Sequence, residues 1–339
     1  MSEKKTAIFY EEDIQIPVKK TVRKHIVEKA YCSDCKRWQT AIPLPTAPVV
    51  FGSSIQKYIC YLNTLCRLSF SQIQELLKDV YQMHISQGEI VKILERESIN
   101  LRPFYEQLKV KIRGEPGVCL DETGWKLLID GSKSYSWVMS GIESQENVLL
   151  IGESRGGGNV EKLIGTDYDG FVVSDDFGAY RKLDKHQLCF AHPIRKWRDL
   201  ANSSELKEKQ RLHCKEEYAK LCLLYDDLKN NRDINKYDEF AERLNELSII
   251  NPLDPQKLIR YKTTLKKNIS KYLTCLSDSR IPLTNNQAER SLRHLVLKRK
   301  ISFGSLTKRT AENLAVLMSS LMSLKQRYGG NFFEGYLRV

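Results

Sequence analysis

The stretch VCLDETGWKLLI, from Val118 to Ile129, lies where the sequence changes from helical to strand-like periodicity. KSYSWVMSGI and NVLLIGES follow it, and the turn-forming segments DGSK and ESQE separate the three. Short runs rich in β-branched and aromatic residues between such turn signals predict strands that are joined by hairpins. The region from Val118 to Ser154 is therefore expected to form three consecutive antiparallel strands.

The chain after these strands alternates between helix and strand. GGGNVEKLIG predicts a short helix, and GFVVSDDF and HQLCFAHPI predict two further strands. This alternation is typical of an α/β layer. From Arg195 to about Ser279 the sequence is helical and strongly charged, which predicts an inserted helical block. RIPLTNNQAE then opens a final long helix.

Helical periodicity also covers the region upstream, from Ser53 to Arg113. Ser69 and Ser86 are suitable N-caps for its second and third helices, and Glu89 completes a capping box with Ser86. Two short helices joined by the tight turn YQMHIS predict a helix-turn-helix. A small helical bundle gives the same pattern, and the second helix carries few bases. Residues 1–48 predict short extended pieces that end in a proline-bearing linker.

Composition is typical of a soluble globular protein with more than one domain. The chain has 339 residues, of which 41% are hydrophobic and 28% are charged. No stretch approaches the roughly 18 apolar residues of a membrane helix, and the N-terminus has no signal-like apolar core, so we expect a cytoplasmic protein without membrane contact. The nine cysteines are scattered, without the spacing of a disulfide framework. The net charge of +12 favours a polyanionic partner such as nucleic acid, although basic proteins can also owe their charge to solubility.

Three carboxylates lie where a metal site could form. Asp121 and Asp175 each end a predicted strand, and side chains converge at strand ends in an α/β sheet. Glu289 lies in the first turns of a helix that Thr284 can cap. Converging carboxylates repel one another unless a cation lies between them, and Mg²⁺ prefers oxygen ligands. Three acids could hold two ions about 3.5–4 Å apart, which suits phosphodiester chemistry, whereas each acid alone could be a turn residue, a cap or half of an ion pair.

Basic residues follow Glu289 in the final helix. They are Arg290, Arg293, Lys298, Arg299 and Lys300. Near a metal site, such residues would contact the DNA backbone beside the scissile phosphate. The run could equally be a solvated face, with Glu289 in an ion pair with Arg293. Trp125 is a further candidate DNA contact, but burial against the sheet is the more favoured interpretation.

At these residues the sequence resembles the bacterial and archaeal transposases of the insertion sequence 66 type, the IS66 family. The resembling segments are LDETGW, VVSDDFGAY, LCFAHPIRKW and NNQAERSLRHLVLKRKISFGS. They occur in the order of the family, and with the upstream helices the likeness runs from about Tyr31 to Arg327. The resemblance implies a DDE transposase with a ribonuclease H-like catalytic core, a mixed sheet with flanking helices, which a helical insertion interrupts before the final Glu.

The resemblance also implies roles for the three acids. Asp121, Asp175 and Glu289 would be the first, second and third catalytic acids and the metal ligands. Asp176 is the nearest competitor for the second position, but the family more often has glycine directly after its second Asp. The implied cofactor is Mg²⁺, and Mn²⁺ could substitute for it.

The periodicity and the resemblance together predict an α/β protein of five segments. These are a ribbon-like segment at 1–48, a helical, helix-turn-helix-like DNA-binding domain at 49–115, the first part of the catalytic core at 116–194, the helical insertion at 195–282, and the final core helix with the third acid and a C-terminal tail at 283–339.

The implied function is metal-dependent DNA cleavage and strand transfer at the ends of an insertion sequence. The implied partners are the terminal inverted repeats, target DNA, further copies of the chain on DNA, and accessory proteins encoded by the same element. Two alternatives stay open: a non-catalytic DNA-binding protein derived from a transposase, and a metal-dependent nuclease without strand transfer.

Two cysteine-containing elements carry potential zinc ligands. Cys189 and His192 match a C-x-x-H element that family members carry after the second acid. Two ligands do not close a zinc site, so the sequence favours a buried Cys189 and a His192 that orients a neighbour or contacts DNA. Cys32 and Cys35 form one pair where the family often has two. A degenerate ribbon is therefore favoured over zinc binding, in which His25 would be a third ligand.

Overall fold

The computed structural model describes part of the chain in two compact units. The described residues are 20–24, 26–40, 50–129 and 131–339. One unit ends at Leu94 and the other runs from Glu95 to Val339. The extended pieces expected within residues 1–19, the linker expected at 41–48 and the side chain of His25 lie outside the described residues.

The first unit combines a small hairpin with helices that share an apolar core. Its elements are β1 (Lys29–Cys32), β2 (Arg37–Thr40), α1 (Ser53–Thr64), α2 (Phe70–Tyr81) and the start of α3 (Gln87–Asn100). The predicted N-caps are confirmed, because Ser69 Oγ accepts from the Gln72 N–H and Ser86 Oγ accepts from the Glu89 N–H. The core that joins the helices consists of Ile59, Cys60, Leu62, Ile73, Leu77, Ile85, Ile90 and Ile93.

The second unit is built on a mixed five-stranded sheet. Its strands are β3 (Gly117–Lys126), β4 (Lys133–Gly141), β5 (Asn147–Gly152), β6 (Phe171–Ser174) and β7 (His186–Leu188). Their spatial order is β5-β4-β3-β6-β7. The three hairpin strands predicted from the sequence are confirmed, because β3, β4 and β5 are antiparallel neighbours. β6 runs parallel to β3, and β7 runs parallel to β6.

Helices cover this sheet and form the block inserted into it. They are α4 (Arg102–Arg113), α5 (Gly158–Ile164), α6 (Ala191–Ala201), α7 (Glu208–Asn230), α8 (Tyr237–Leu247), α9 (Gln256–Lys267), α10 (Ile269–Tyr272), α11 (Asn286–Ser302), α12 (Lys308–Tyr328) and α13 (Phe332–Arg338). α11 packs against β3 and β4, whereas α4 and α12 pack against β5. Within the described residues, no helix has both the length and the apolar character of a membrane span.

Two predicted strand ends are wrong, each for a local reason. Asp121 does not end its strand, because β3 continues to Lys126 in register with β4 and leaves β6 after Cys119. HQLCFAHPI is a strand only as far as Leu188, and α6 begins within it at Ala191. Its proline falls in the first turn of α6, where the missing N–H removes no helical hydrogen bond. Asp121 therefore lies inside β3, two residues past its last pairing with β6, and Asp175 lies two residues past the same pair on the other strand.

The single long helix expected at the C-terminal end is instead two helices and a short third. α11 ends at Phe303, which has left-handed backbone angles, and α12 begins five residues later. The intervening backbone pairs with β3, because the Ser305 N–H donates to the Lys126 carbonyl at 3.0 Å. A Cβ at Gly304 would collide with that same carbonyl oxygen, so this turn requires a glycine.

Serine side chains of α12 cover the edge strand β5. Ser319 Oγ accepts from the Leu149 N–H at 2.8 Å, and Ser323 Oγ accepts from the Asn147 N–H at 3.1 Å. The hydroxyl of Tyr105, on α4, donates to the Leu149 carbonyl at 2.8 Å. These bonds satisfy backbone groups that an open edge would otherwise offer to another strand. α4 and α12 thereby cover the outer edge of the sheet.

Candidate active site

The three predicted acids come from three different elements. Asp121 lies on β3, Asp175 directly follows β6, and Glu289 lies in the first turn of α11. Asp121 and Glu289 line one open cleft of about 270 Å³. The cleft is lined by Asp121, Glu122, Thr123, His192, Arg195, Glu289, Leu292, Arg293 and Val296. Asp175 is close enough for its charge to act on both Asp121 and His192.

The environment of Asp121 disfavours the ionised form of its carboxyl. Burial, together with the charges of Glu122, Asp175 and Glu289, raises the pKa of this carboxyl from 3.8 to about 7. The Glu122 N–H donates to Asp121 Oδ1 at 2.9 Å and opposes the rise. Several carboxylates that disfavour one another's ionised forms can be stabilised together by a divalent cation with oxygen ligands. The arrangement can therefore bind such an ion.

The raised pKa of Asp121 predicts that this residue makes stability depend on pH. In the folded protein the carboxyl keeps its proton up to about pH 7, whereas in the unfolded chain it loses the proton near its ordinary pKa of 3.8. Between about pH 4 and pH 7 the folded state therefore binds one proton more than the unfolded state. The contribution of Asp121 to the free energy of unfolding is then complete below about pH 4 and falls as the pH rises to about 7. In the presence of a chelator, thermal unfolding should show this decline in the wild type. The decline should be smaller in Asp121→Asn and unchanged in Asp167→Asn, a variant of an exposed acid. Equal slopes in all three proteins would contradict the prediction.

Glu289 has a different partner from the one expected. Its Oε1 accepts from Arg195 Nη2 at 2.6 Å and lies 3.9 Å from His192 Nε2. The alternative ion pair with Arg293 is therefore wrong. Arg195 was not singled out from the sequence, although His192 and Arg195 are three residues apart on α6, as neighbours on one side of a helix are.

Asn285 anchors the helix that carries Glu289. Its Nδ2 donates to the Leu120 carbonyl at 2.7 Å, and its backbone N–H points to Cys189 Sγ at 3.1 Å. Thr284 does not cap α11 as predicted, because Asn285 occupies the N-cap position and its side chain is used in the bond to β3. This bond ties Glu289 to the residue that precedes Asp121.

The loop that carries Asp175 is fixed to β3 through Glu122. Glu122 Oε1 accepts from Arg155 Nε at 3.1 Å and from its Nη2 at 2.6 Å, and Glu122 Oε2 accepts from the Tyr180 hydroxyl. The Arg155 guanidinium lies 4.0 Å from the centre of the Phe177 ring, two residues after Asp175. The Phe177 N–H in turn donates to Asp175 Oδ1 at 3.0 Å. Sequence reasoning did not identify Arg155 or Glu122, because Arg155 is distant in the chain and Glu122 adjoins the more conspicuous Asp121.

The predicted DNA-contacting residues fall into two groups. Arg290, Arg293 and Lys300 are exposed, and Arg293 also lines the cleft. Lys298 is buried, and Arg299 donates to the Gly124 carbonyl. The structure thus leaves three of the five basic side chains open to solvent on α11.

Trp125 is buried, as the favoured interpretation of the sequence predicted. Only 2% of its surface is exposed, and its Nε1 donates to Ser305 Oγ at 3.2 Å. Trp125 therefore contributes to packing beside the sheet and is unavailable to DNA.

The two cysteine-containing elements have different surroundings. Cys189 is buried just past β7, and its Sγ, a nitrogen of His192 and a carboxylate oxygen of Glu289 all lie within 4.8 Å of one another. This is the one group of three potential metal ligands found among the described residues. Cys32 and Cys35 lie at the hairpin of β1 and β2.

Comparison with known proteins supports the resemblance of these segments. No curated protein matches the chain. The sequence model described as Transposase IS66 family matches residues 48–313, a range that contains Asp121, Asp175 and Glu289. Because this match covers most of the chain and includes every residue of the cleft, the protein belongs to the IS66 family of transposases.

Proposed function

We propose that this chain is a DDE-type transposase that cleaves DNA at the ends of its element and joins the freed 3′ hydroxyl to target DNA. The observation that carries the proposal is the position of Asp121 and Glu289 in one open cleft, with Asp175 close enough for its charge to act on Asp121. Membership of a transposase family makes DNA the partner of the cleft. The hairpin strands β3–β5, followed by the parallel strands β6 and β7, support a ribonuclease H-like core.

The choice of three acids among the neighbouring five has a physical basis. Glu122 also lines the cleft, but Arg155 occupies one of its carboxylate oxygens and the Tyr180 hydroxyl occupies the other. The charge of Asp175 acts on Asp121, His192 and Tyr272, and the charge of Asp176 acts on Tyr272. Glu122 is therefore a positioning residue, and Asp175 is the second acid.

The donor chemistry of the three acids fits Mg²⁺ or Mn²⁺. Asp121, Asp175 and Glu289 would hold the ions through carboxylate oxygens, the ligands that these cations prefer. Bound there, the ions would supply charge stabilisation at the scissile phosphate and would activate the attacking water or 3′ hydroxyl. Arg195 orients the Glu289 carboxylate, and Arg293, exposed at the cleft, is placed to contact a neighbouring phosphate.

We assign recognition of the DNA ends to α2 and α3 as a helix-turn-helix. Five residues connect these helices, and Gln74 Nε2 holds the connection by donating to the Ile85 carbonyl at 2.6 Å. A short connection fixed to the first helix supports this assignment, because the motif requires two helices at a defined angle. Transposition acts on both ends of the element together. We therefore expect several copies of the chain to assemble on DNA, with or without accessory proteins of the element.

A strand-transfer assay tests the proposal. Linear DNA that carries the element's own ends is incubated with Mg²⁺ or Mn²⁺ and with the wild type, Asp175→Asn or the matched control Asp176→Asn. We expect cleavage and joining from the wild type and from Asp176→Asn, and neither from Asp175→Asn. Cleavage without joining would favour the nuclease alternative, and binding of the ends without cleavage would favour the non-catalytic DNA-binding protein.

Arg293 provides a prediction for DNA affinity. Arg293→Ala should weaken binding by roughly 3–10-fold for all sequences alike and should reduce the slope of log affinity against log salt by about 1, because one phosphate contact is lost. Fluorescence anisotropy at several salt concentrations measures both quantities. Arg198→Ala, which changes an exposed arginine paired with Asp199, is the control. An unchanged salt slope in Arg293→Ala would contradict the predicted contact.

A further inference from the structure

Cys189, His192 and Glu289 bring three different metal-binding groups together at the edge of the cleft. Cys189 and His192 lie at the junction of β7 and α6, and Glu289 comes from α11, about a hundred residues later in the chain. Their donor atoms lie within 4.8 Å of one another. The sequence alone supplied two of these ligands, and the fold adds the third.

The spacing of these atoms is close to that around a tetrahedral ion. Donors about 2.0–2.3 Å from zinc lie about 3.3–3.8 Å from one another. His192 Nε2 and Glu289 Oε1 are 3.9 Å apart, which is too long for a hydrogen bond and needs little movement to suit a shared ion. His192 Nδ1 is buried and has no hydrogen-bond partner among the described residues, so no hydrogen bond at this nitrogen fixes the ring.

The sulfur of Cys189 is surrounded by backbone donors. The Asn285 N–H lies 3.1 Å from Sγ, and the N–H groups of Ala191 and His192 also act on it. Backbone N–H groups that point to a ligating sulfur are the outer contacts that stabilise metal-bound thiolates.

We propose that Cys189, His192 and Glu289 form a binding site for a thiophilic divalent cation of the Zn²⁺ class. Three protein ligands leave a fourth position open, as in zinc sites that exchange ligands with solvent. The site differs from that assigned to Mg²⁺, because it contains sulfur and nitrogen donors that Mg²⁺ does not favour. Glu289 belongs both to this site and to the three acids assigned to Mg²⁺. When its carboxylate binds zinc, it can no longer bind Mg²⁺ together with Asp121 and Asp175.

Zinc binding at this site therefore opposes the proposed reaction. This consequence, unlike the binding itself, rests on the proposed function. Arg195 now holds Glu289 Oε1 at 2.6 Å, and an ion between Glu289 and His192 would displace that contact. The expected effect is inhibition of Mg²⁺-supported strand transfer by zinc.

Metal binding to the full chain tests the site without any measurement of activity. The starting protein carries Cys32→Ser and Cys35→Ser, so that the hairpin cysteines contribute no sulfur. We expect it to bind one Co²⁺ per chain with a sulfur-to-cobalt charge-transfer band, and to bind zinc in competition with a chromophoric chelator. Cys189→Ser should abolish the band, and His192→Ala should weaken zinc binding by more than the roughly 10–100-fold that outer contacts cost. Cys275→Ser, a change at a buried cysteine outside the group, is the control.

Two results would overturn the site. One is a cobalt complex of the starting protein that lacks the charge-transfer band. The other is zinc affinity that His192→Ala leaves unchanged while circular dichroism shows a folded variant.

Inhibition is then measured as the ratio of strand transfer with and without zinc, each protein being compared with its own Mg²⁺ activity. A smaller ratio change in Cys189→Ser than in the starting protein supports inhibition through this site. Equal changes would refute inhibition but not binding, and a protein without strand transfer would refute the proposed function alone.

Discussion

Asp121→Asn is expected to lower the rate of DNA cleavage by at least about 10³-fold, because an amide in this position cannot supply the negative charge that holds the metal ions. The side chains have the same shape, so the cleft keeps its form. Burial and the charges of Glu122, Asp175 and Glu289 raise the pKa of Asp121, so a bound cation would stabilise its ionised form.

The same substitution should not destabilise the fold at neutral pH. Ionising the Asp121 carboxyl is unfavourable in the folded protein without metal, so a neutral amide removes a cost rather than a stabilising contact. Cleavage of labelled element ends and thermal unfolding with a chelator are measured on the same preparations, and Asp167→Asn is the control. A variant that cleaves within about tenfold of the wild type would show that Asp121 is not a metal ligand. A variant that loses its fold as well as its activity would contradict the claim that ionising the Asp121 carboxyl is unfavourable in the folded protein.

The strand pattern could be predicted because it depends on neighbouring residues. β3, β4 and β5 are joined by short turns, and their period of two is visible in the sequence. The extent of β3 beyond Asp121 was missed, because it follows from the register with β4, which continues as far as the pair Lys126 and Lys133. The start of α6 was missed because the apolar residues before Pro193 form a continuous run, which periodicity alone does not assign to strand or helix.

The acids of the candidate site could be named from the sequence, whereas their supporting contacts could not. The pairs Arg195 with Glu289 and Asn285 with Leu120 join residues that are 94 and 165 positions apart. No local pattern encodes such pairs, since they follow from how α6 and α11 pack beside the sheet. Lys298 is a case in which a local pattern misleads. A run of bases predicts an exposed helix face, but the helical period places Lys298 on the buried side of α11.

Arg155→Ala is expected to lower the free energy of unfolding by about 2–3 kcal/mol and to slow DNA cleavage by about 10–100-fold. The side chain of Glu122 is 1% exposed, so the loss of Arg155 leaves a buried carboxylate with only the Tyr180 hydroxyl as its partner. The loss of cleavage follows from position, because Arg155 also lies over Phe177, whose N–H binds Asp175. Without Arg155 the second acid is held less firmly, and a higher Mg²⁺ concentration should recover part of the rate.

A double variant separates the two effects. Glu122→Gln removes the buried charge, so Glu122→Gln/Arg155→Ala should recover most of the stability that Arg155→Ala loses, as measured by urea unfolding. Its cleavage rate should stay low, since the contact with Phe177 is still absent. Arg198→Ala, in a surface pair, should change stability by less than about 0.5 kcal/mol. If the changes in the free energy of unfolding caused by the two substitutions simply added, Arg155 would not act by stabilising the buried charge of Glu122. If the double variant cleaved at the wild-type rate, the loop that carries Asp175 would not depend on the arginine.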